Sequence, residues 1–117
     1  MDWSFRPDRP IYIQIAEGFR TSVATGELQP GDKLKSTKEL AAWAGVSPNA
    51  MERALGELQS EGLIEDRGPE GRFVAGQGAA EDIRWAMAAQ EVDGLVKRLG
   101  ALGFGKAEII RLVEEAE

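Results

Sequence analysis

The chain has 117 residues, no Cys, no His and a formal net charge of −6 at neutral pH. This length suits one compact domain, or a small domain with an appendage. A zinc site of the usual kind is excluded because its Cys and His ligands are missing, and the commonest acid–base catalyst is missing with them. Since no phosphate-binding glycine loop stands out either, we expect no enzyme activity and no cofactor.

The charge and hydropathy patterns limit the location and the partners. No apolar run approaches the roughly 18 residues of a membrane span, and the opening MDWSFRPDRP lacks the apolar core of a signal peptide. We therefore expect a cytoplasmic protein without membrane contact. Residues 1–76 hold nine basic and twelve acidic side chains, so any surface that binds a polyanion must come from local clustering of cations.

The first predicted element is an amphipathic helix over residues 10–25, PIYIQIAEGFRTSVAT, whose apolar side chains recur at intervals of three and four. Gly26 is the expected end of this helix. A Pro-Gly turn follows, and residues 33–34 are expected to be extended.

The second predicted helix opens at Ser36, which has the capping-box spacing to Glu39. Leu40 and Trp43 are expected to point inward from this helix. Gly45 then permits the positive φ that a tight turn requires.

The third predicted helix is capped by Ser47, has Pro48 in its first turn and ends at Gly62. Its buried stripe is expected to consist of Met51, Ala54, Leu55 and Leu58. Two helices joined by so short a turn form a helix-turn-helix, in which the N-terminal half of the second helix can lie in the major groove of DNA.

After Gly62 the apolar period changes to that of β-strands. LIEDR and RFVA flank a turn at residues 68–71 and predict a hairpin. A hairpin after a helix-turn-helix is called a wing, and the charges of Arg67 and Arg72 suit contact with a phosphate strand or a minor groove. The predicted fold is therefore mainly α with a small β-hairpin, a winged helix-turn-helix followed by a helical tail.

The tail begins after residues 76–80, GQGAA, which read as a hinge. Residues 79–117 predict two helices separated by a Leu-Gly-Phe corner. Two helices of this length cannot bury their apolar stripe alone, so they must pack on their own winged domain or on a second copy, and we expect the second copy. The expected dimer interface consists of Trp85, Val92, Leu95, Leu99, Leu102 and Ile110.

Residues 10–74 resemble the winged helix-turn-helix domain of GntR-type bacterial transcriptional regulators. The shared pattern includes Pro10-Ile11-Tyr12, Pro30-Gly31-Asp32, Glu39-Leu40-Ala41, Gly45-Val46-Ser47 and Glu61-Gly62-Leu63. The tail, with its corner at residues 102–104, is similar to that of the YtrA-like subfamily, whose members carry only a short two-helix dimerisation segment.

The resemblance implies a DNA-binding domain at residues 10–76, a dimerisation segment at residues 79–117, and a homodimeric regulator or repressor on a palindromic operator in double-stranded DNA. It implies DNA contacts from the starts of the second and third helices and from the wing. Carried over to this chain, these contacts are Ser36, Lys38, Ser47, Asn49, Arg53, Gly71 and Arg72. Lys35 stands where the family usually has Pro and adds a candidate phosphate contact. The sequence does not indicate whether a small-molecule effector binds, or which one.

Two acidic residues, Glu52 and Glu70, stand on the surface expected to face DNA and predict a lowered affinity for non-specific DNA. A Glu there can also accept a hydrogen bond from cytosine N4, which would narrow the sequence choice. The alternative hypothesis is a winged-helix module that contacts a partner protein through its acidic surface and binds DNA weakly or not at all. Positive charge clustered on the third helix and the wing would favour DNA binding over that alternative.

Overall fold

The computed structural model describes residues 3–117, which form five α-helices and one two-stranded antiparallel sheet. In chain order these are α1 (Ile11–Thr25), α2 (Thr37–Ala44), α3 (Pro48–Ser60), β1 (Ile64–Asp66), β2 (Arg72–Val74), α4 (Gln77–Ala101) and α5 (Lys106–Glu115). The chain divides into two compact units, of which the first ends at Ile83 and the second is Arg84–Glu117. The predicted fold class, mainly α with a small hairpin, is confirmed.

The core of the first unit gathers the apolar stripes of α1, α2 and α3. Met51, Leu55 and Leu58 on α3 are at most 1% exposed, and they belong to one cluster with Ile15 and Phe19 of α1. Full burial of a side chain of this size contributes about 1.5–3 kcal/mol relative to leaving it in water. The stripe predicted for α3 is therefore buried, and the opposite face of that helix remains open to solvent.

Two caps and one glycine fix the turn between α2 and α3. Ser36 Oγ accepts from the Glu39 N–H at 3.2 Å, and Ser47 Oγ accepts from the Ala50 N–H at 3.1 Å. The Glu39 carboxylate accepts from the Ser36 hydroxyl at 3.0 Å, in place of the backbone N–H that a complete capping box would use. Gly45 has a φ of +71°, a region that disfavours any residue with a Cβ.

The hairpin follows α3 directly. β1 pairs with β2 in a register that sets Ile64 opposite Val74, both buried. A single 3-10 turn at Gly68–Glu70 joins the strands. Lys33 forms a bridge to Phe73, which confirms the extended segment predicted at residues 33–34 and attaches it to the hairpin.

Trp43 does not point inward, as the sequence pattern suggested. Its side chain is 53% exposed, and its ring meets Trp3 edge-on with 5.5 Å between centroids. The inward positions of α2 are taken by Leu40, Ala41 and Ala44, which are buried.

Residues 76–80 do not form the predicted hinge. α4 begins at Gln77, and Ala80 is buried in the same cluster as the core of the first unit. Ala is the best helix former, and burial of Ala80 and Ile83 offsets the cost of about 1 kcal/mol that a glycine adds inside a helix. Ala79 and Ala80 therefore pack on the core, whereas Gly76 and Gly78 are exposed and a Cβ at either would meet no atom within 4 Å.

The second unit contains the later part of α4 and all of α5. Ile109, which is 5% exposed, is the only buried apolar side chain between residues 84 and 117. The start of α5 is capped by Glu108, whose carboxylate accepts from the Gly105 N–H at 3.0 Å. None of the helices within residues 3–117 has the length and apolar character that a membrane crossing requires.

Candidate nucleic-acid interface

The starts of α2 and α3 each expose a serine cap and a polar side chain at the second helical position. Lys38 is the second residue of α2 and Asn49 is the second residue of α3, and both are exposed. The caps Ser36 and Ser47 are exposed as well. The first amides of a helix lack partners within the helix, so each start attracts phosphate through those N–H groups and the helix dipole.

A groove of about 460 Å³ lies between the start of α2 and the wing. Its cationic lining consists of Lys33, Lys35 and Arg72, and its acidic lining consists of Glu39, Asp66 and Glu70. The first two lysines make no ion pair with any carboxylate of residues 3–117, so their charge remains available to a phosphate.

Arg53, on the exposed face of α3, lies over the ring of Tyr12 with 3.8 Å from Cζ to the ring centroid. A cation–π contact at an exposed site is worth about 0.5–1 kcal/mol, and it leaves the N–H donors at the edge of the guanidinium open to an acceptor. The structure therefore adds Tyr12 to the predicted site, as the platform that orients Arg53. Sequence reasoning missed this role because 41 residues separate the two side chains.

Arg72 and Glu52 join the wing to α3. Arg72 Nη1 donates to Glu52 Oε2 at 3.1 Å and to Thr37 Oγ1 at 3.1 Å, while Nη2 donates to Glu52 Oε1. The Thr37 hydroxyl donates to Glu52 Oε2 at 2.7 Å. The guanidinium that the resemblance assigned to DNA is thus bound to a carboxylate of α3, and the charge of that carboxylate is compensated.

This network shifts the pKa of both partners. The hydrogen bonds from Arg72, and after them the bond from Thr37, lower the pKa of Glu52 below its ordinary value of 4.5. The hydrogen bond to Glu52 raises the pKa of Arg72 in turn. Both groups stay charged at neutral pH, and the pair adds no net charge to the surface.

The rest of the wing is also internally bonded. Gly71 has a φ of +103°, and a Cβ there would lie 3.3 Å from Lys33 Cε, so this position requires glycine. Its N–H donates to the Gly68 carbonyl at 3.0 Å. Arg67 pairs with Glu65 at 3.0 Å. The wing cations predicted to face phosphate are therefore both paired with carboxylates.

The cations of the first unit fall into two classes. Five arginines, Arg6, Arg9, Arg20, Arg67 and Arg72, form ion pairs with carboxylates. Among residues 3–83 the cations without a carboxylate partner are Lys33, Lys35, Lys38 and Arg53. These four belong to the segment leading into α2, to α2 itself and to the exposed face of α3. The positive charge without carboxylate partners therefore lies around the start of α2 and at Arg53, and the wing contributes none of it.

A family comparison matches residues 11–74 to "Bacterial regulatory proteins, gntR family", which is more than half of the chain. The chain belongs to the GntR family. Its relatives include an uncharacterized HTH-type transcriptional regulator of Bacillus subtilis, YhcF, which is 33% identical over 111 residues that cover 94% of this chain and 92% of the relative. The HTH-type transcriptional repressor YtrA of the same organism is 37% identical over 70 residues, or 60% of this chain and 54% of YtrA.

Solved structures agree with this assignment. A GntR family transcriptional regulator from Listeria monocytogenes superposes with a TM-score of 0.86 at 31% identity, covering 97% of this chain and 100% of that one. AraR(DBD) in complex with operator ORR3 matches 64% of this chain and 88% of its own at 31% identity, with a TM-score of 0.55. The protein is a GntR-family transcriptional regulator with a DNA-binding helix-turn-helix, and its relatives are regulators and not enzymes.

Proposed function

We propose that the protein is a cytoplasmic homodimeric repressor that binds a palindromic operator in double-stranded DNA. Residues 10–76 serve as the DNA-binding domain and residues 79–117 as the dimerisation segment. The observation that supports the DNA-binding surface is that, among residues 3–83, the cations without a carboxylate partner are Lys33, Lys35, Lys38 and Arg53.

Each predicted contact has a role in this proposal. Lys35, Ser36, Lys38 and Ser47 hold phosphates, because lysines and hydroxyls at helix starts bond the backbone and set the register. Asn49 and Arg53 reach base edges, where Asn suits adenine and Arg suits guanine. Gly71 lets the wing backbone approach DNA closely, and Arg72 supports the recognition helix through Glu52.

Exposed apolar side chains of the second unit support homodimerisation. Trp85 is 74% exposed and Leu102 is 73% exposed, and Val92 and Ile110 are also open to solvent. Leu95 and Leu99 of α4 are half-buried. A two-fold interface buries one such patch against its copy and sets two recognition helices about 34 Å apart, one turn of DNA.

The repressor role rests on a relative. YtrA of Bacillus subtilis carries the name of an HTH-type transcriptional repressor. A dimer that occupies an operator blocks access to that stretch of DNA, so occupancy represses transcription where the operator overlaps a promoter.

Selection of bound sequences from a random duplex pool tests this proposal. The expected result is a consensus with two-fold related halves whose centres lie about one helical turn apart. The Arg53→Ala variant, carried through the same selection, is expected to enrich the consensus sequence poorly. Failure of the wild-type protein to enrich any sequence at low ionic strength would contradict DNA recognition, and a consensus without two-fold symmetry would contradict dimeric docking.

The acidic balance of the winged domain and the pairing of both wing arginines favour a second candidate, a module that contacts a partner protein. The same selection separates the two, because such a module enriches no DNA at any ionic strength.

A further inference from the structure

Glu52 stands in the middle of the surface that α3 presents to solvent. Asn49, Glu52, Arg53 and Gly56 are spaced three and four residues apart, so they share one face of the helix, and all four are exposed. The Glu52 side chain is 52% exposed even with Arg72 bound to it. A carboxylate in this place meets the base edges if α3 enters the major groove.

An unpaired carboxylate in the groove would be repelled by the phosphates on both sides. Arg72 removes this penalty, since its guanidinium bonds both oxygens of Glu52 from the wing. The side chain is also held in one orientation, because the Thr37 hydroxyl fixes Oε2 at 2.7 Å. A charge-compensated and oriented acceptor is a suitable group for reading a base.

The hydrogen-bonding capacity that remains is specific. A carboxylate offers about four lone-pair sites, two on each oxygen. Oε2 accepts from Arg72 and from Thr37, whereas Oε1 accepts from Arg72 alone. One acceptor site is therefore left, on Oε1.

We propose that Glu52, held by Arg72, selects cytosine at one base pair of each half-site; this rests on the DNA-binding function proposed above. Cytosine presents the N4–H₂ donor, which Oε1 can accept. Guanine and thymine present acceptors to the same groove and repel the carboxylate, and adenine sets its N7 acceptor beside its N6 donor. Arg72 acts as a positioning residue that orients Glu52 and leaves phosphate binding to the lysines.

The test compares base preference and not affinity alone. Wild type, Glu52→Gln and Arg72→Lys are carried through selection from a random duplex pool, and binding to the wild-type operator is then measured with each of the four base pairs at every position. We expect the wild type to prefer cytosine at one position per half-site by roughly ten- to a hundredfold. Glu52→Gln should lose this preference and turn towards adenine, because an amide pairs with N6 and N7. Arg72→Lys should weaken the cytosine preference without creating a new one, since a lysine keeps the charge but loses the two-pronged hold on Glu52.

Glu57→Gln is the matched control. It removes the same charge from the same helix, but Glu57 lines a groove against α1 with Tyr12 and Arg20. It should leave the consensus unchanged at every position. An unchanged cytosine preference in Glu52→Gln, with the wild type binding its operator, overturns the proposal while DNA binding stands. Absence of any enriched sequence with the wild type overturns the proposed function and this assignment together.

Discussion

At the residue scale, the side-chain contacts of a cation show whether its charge is available to DNA, and its position in the sequence does not. Arg53 rests on an aromatic ring and keeps its donors open, whereas Arg72 is bonded to Glu52 and Thr37. Both arginines looked alike in the sequence as candidate DNA contacts. Only the first retains the uncompensated charge that attracts a phosphate or a guanine.

Arg53→Ala is expected to lower operator affinity by about 1–3 kcal/mol, because a base or phosphate contact is lost. Binding is measured by titration of a labelled operator duplex at fixed salt. Arg20→Ala is the matched control, since Arg20 is bonded to Glu61 by two nitrogens at 2.8–3.3 Å and should leave affinity unchanged. Equal affinities of Arg53→Ala and the wild type would remove Arg53 from the interface.

The pair of Glu52 and Arg72 predicts a pH dependence of stability. The pKa of Glu52 is lowered in the folded state, so the stabilisation is fully present above its ordinary value of 4.5 and is lost as pH falls through the lowered pKa. The free energy of unfolding of the wild type should therefore exceed that of Glu52→Gln by no more than about 1 kcal/mol at pH 7, since both side chains are partly exposed. Urea denaturation at pH 7 and at pH 3 measures the difference, which should shrink in acid; a constant difference would show that the pair is not formed.

Residues that act on near neighbours in the chain were predictable from the sequence. Ser36, Gly45 and Ser47 act within three or four residues of themselves, and their type alone indicates the cap or the turn. The contact of Arg53 with Tyr12 and that of Arg72 with Glu52 were not predictable, because they depend on how separate elements pack. Trp43 was misplaced for a related reason: its ring packs on Trp3, which lies far away in the chain.

At the element scale, α3 combines a tightly buried stripe with an open face that carries Gly56. A glycine inside a helix costs about 1 kcal/mol relative to Ala. A Cβ at Gly56 would meet no atom within 4 Å, so packing does not require this glycine. We therefore expect the absence of a side chain here to serve close approach of α3 to another surface.

Gly56→Ala is expected to raise the free energy of unfolding by about 1 kcal/mol and to weaken operator binding, because the added methyl group separates α3 from DNA. Thermal unfolding and operator titration measure the two effects on the same sample. An exposed alanine elsewhere, Ala42→Gly in α2, should lower stability by a similar amount. If Gly56→Ala stabilises the fold without changing affinity, α3 does not approach DNA at this point.

At the start of α4, the run of small residues predicted a hinge where the chain is helical. Residues 76–80 are small, and small residues occur both in linkers and in closely packed helices. The burial of Ala80 and the partial burial of Ile83 against the core show that this segment is a packed helix, and no periodicity in five residues can reveal it. The extended segment at residues 33–34 was predictable in outline, but its bridge to Phe73 was not.

At the scale of the whole molecule, the two units differ in how much apolar surface they bury. The first unit encloses a contiguous cluster of buried side chains, whereas between residues 84 and 117 only Ile109 is buried. The net charge of −6 describes the whole chain, whereas within residues 3–83 the cations without a carboxylate partner are confined to the segment before α2, to α2 and to α3, so the local potential can differ in sign from the total.

Leu102→Asp is expected to convert the proposed dimer to a monomer, because it places a charge in each copy of an apolar interface. Sedimentation equilibrium measures the association state. Operator affinity should fall in the monomer, because its two DNA-binding domains no longer bind the two half-sites as one linked unit. Gln90→Asp, at an exposed polar position of α4, is the control and should remain dimeric. A Leu102→Asp variant that stays dimeric would exclude this residue from the interface.

The measurement that tests the proposed role of the unpaired cations most directly is the salt dependence of binding to the selected operator. Each phosphate neutralised contributes about 0.9 to the slope of log affinity against log salt. For a dimer, the double variant Lys35→Gln with Lys38→Gln removes up to four phosphate contacts, so the slope should fall by about 2 to 4 while the base preferences stay the same. An unchanged slope in the double variant, or a wild-type protein that forms no complex with any duplex at low ionic strength, would contradict DNA binding by this surface.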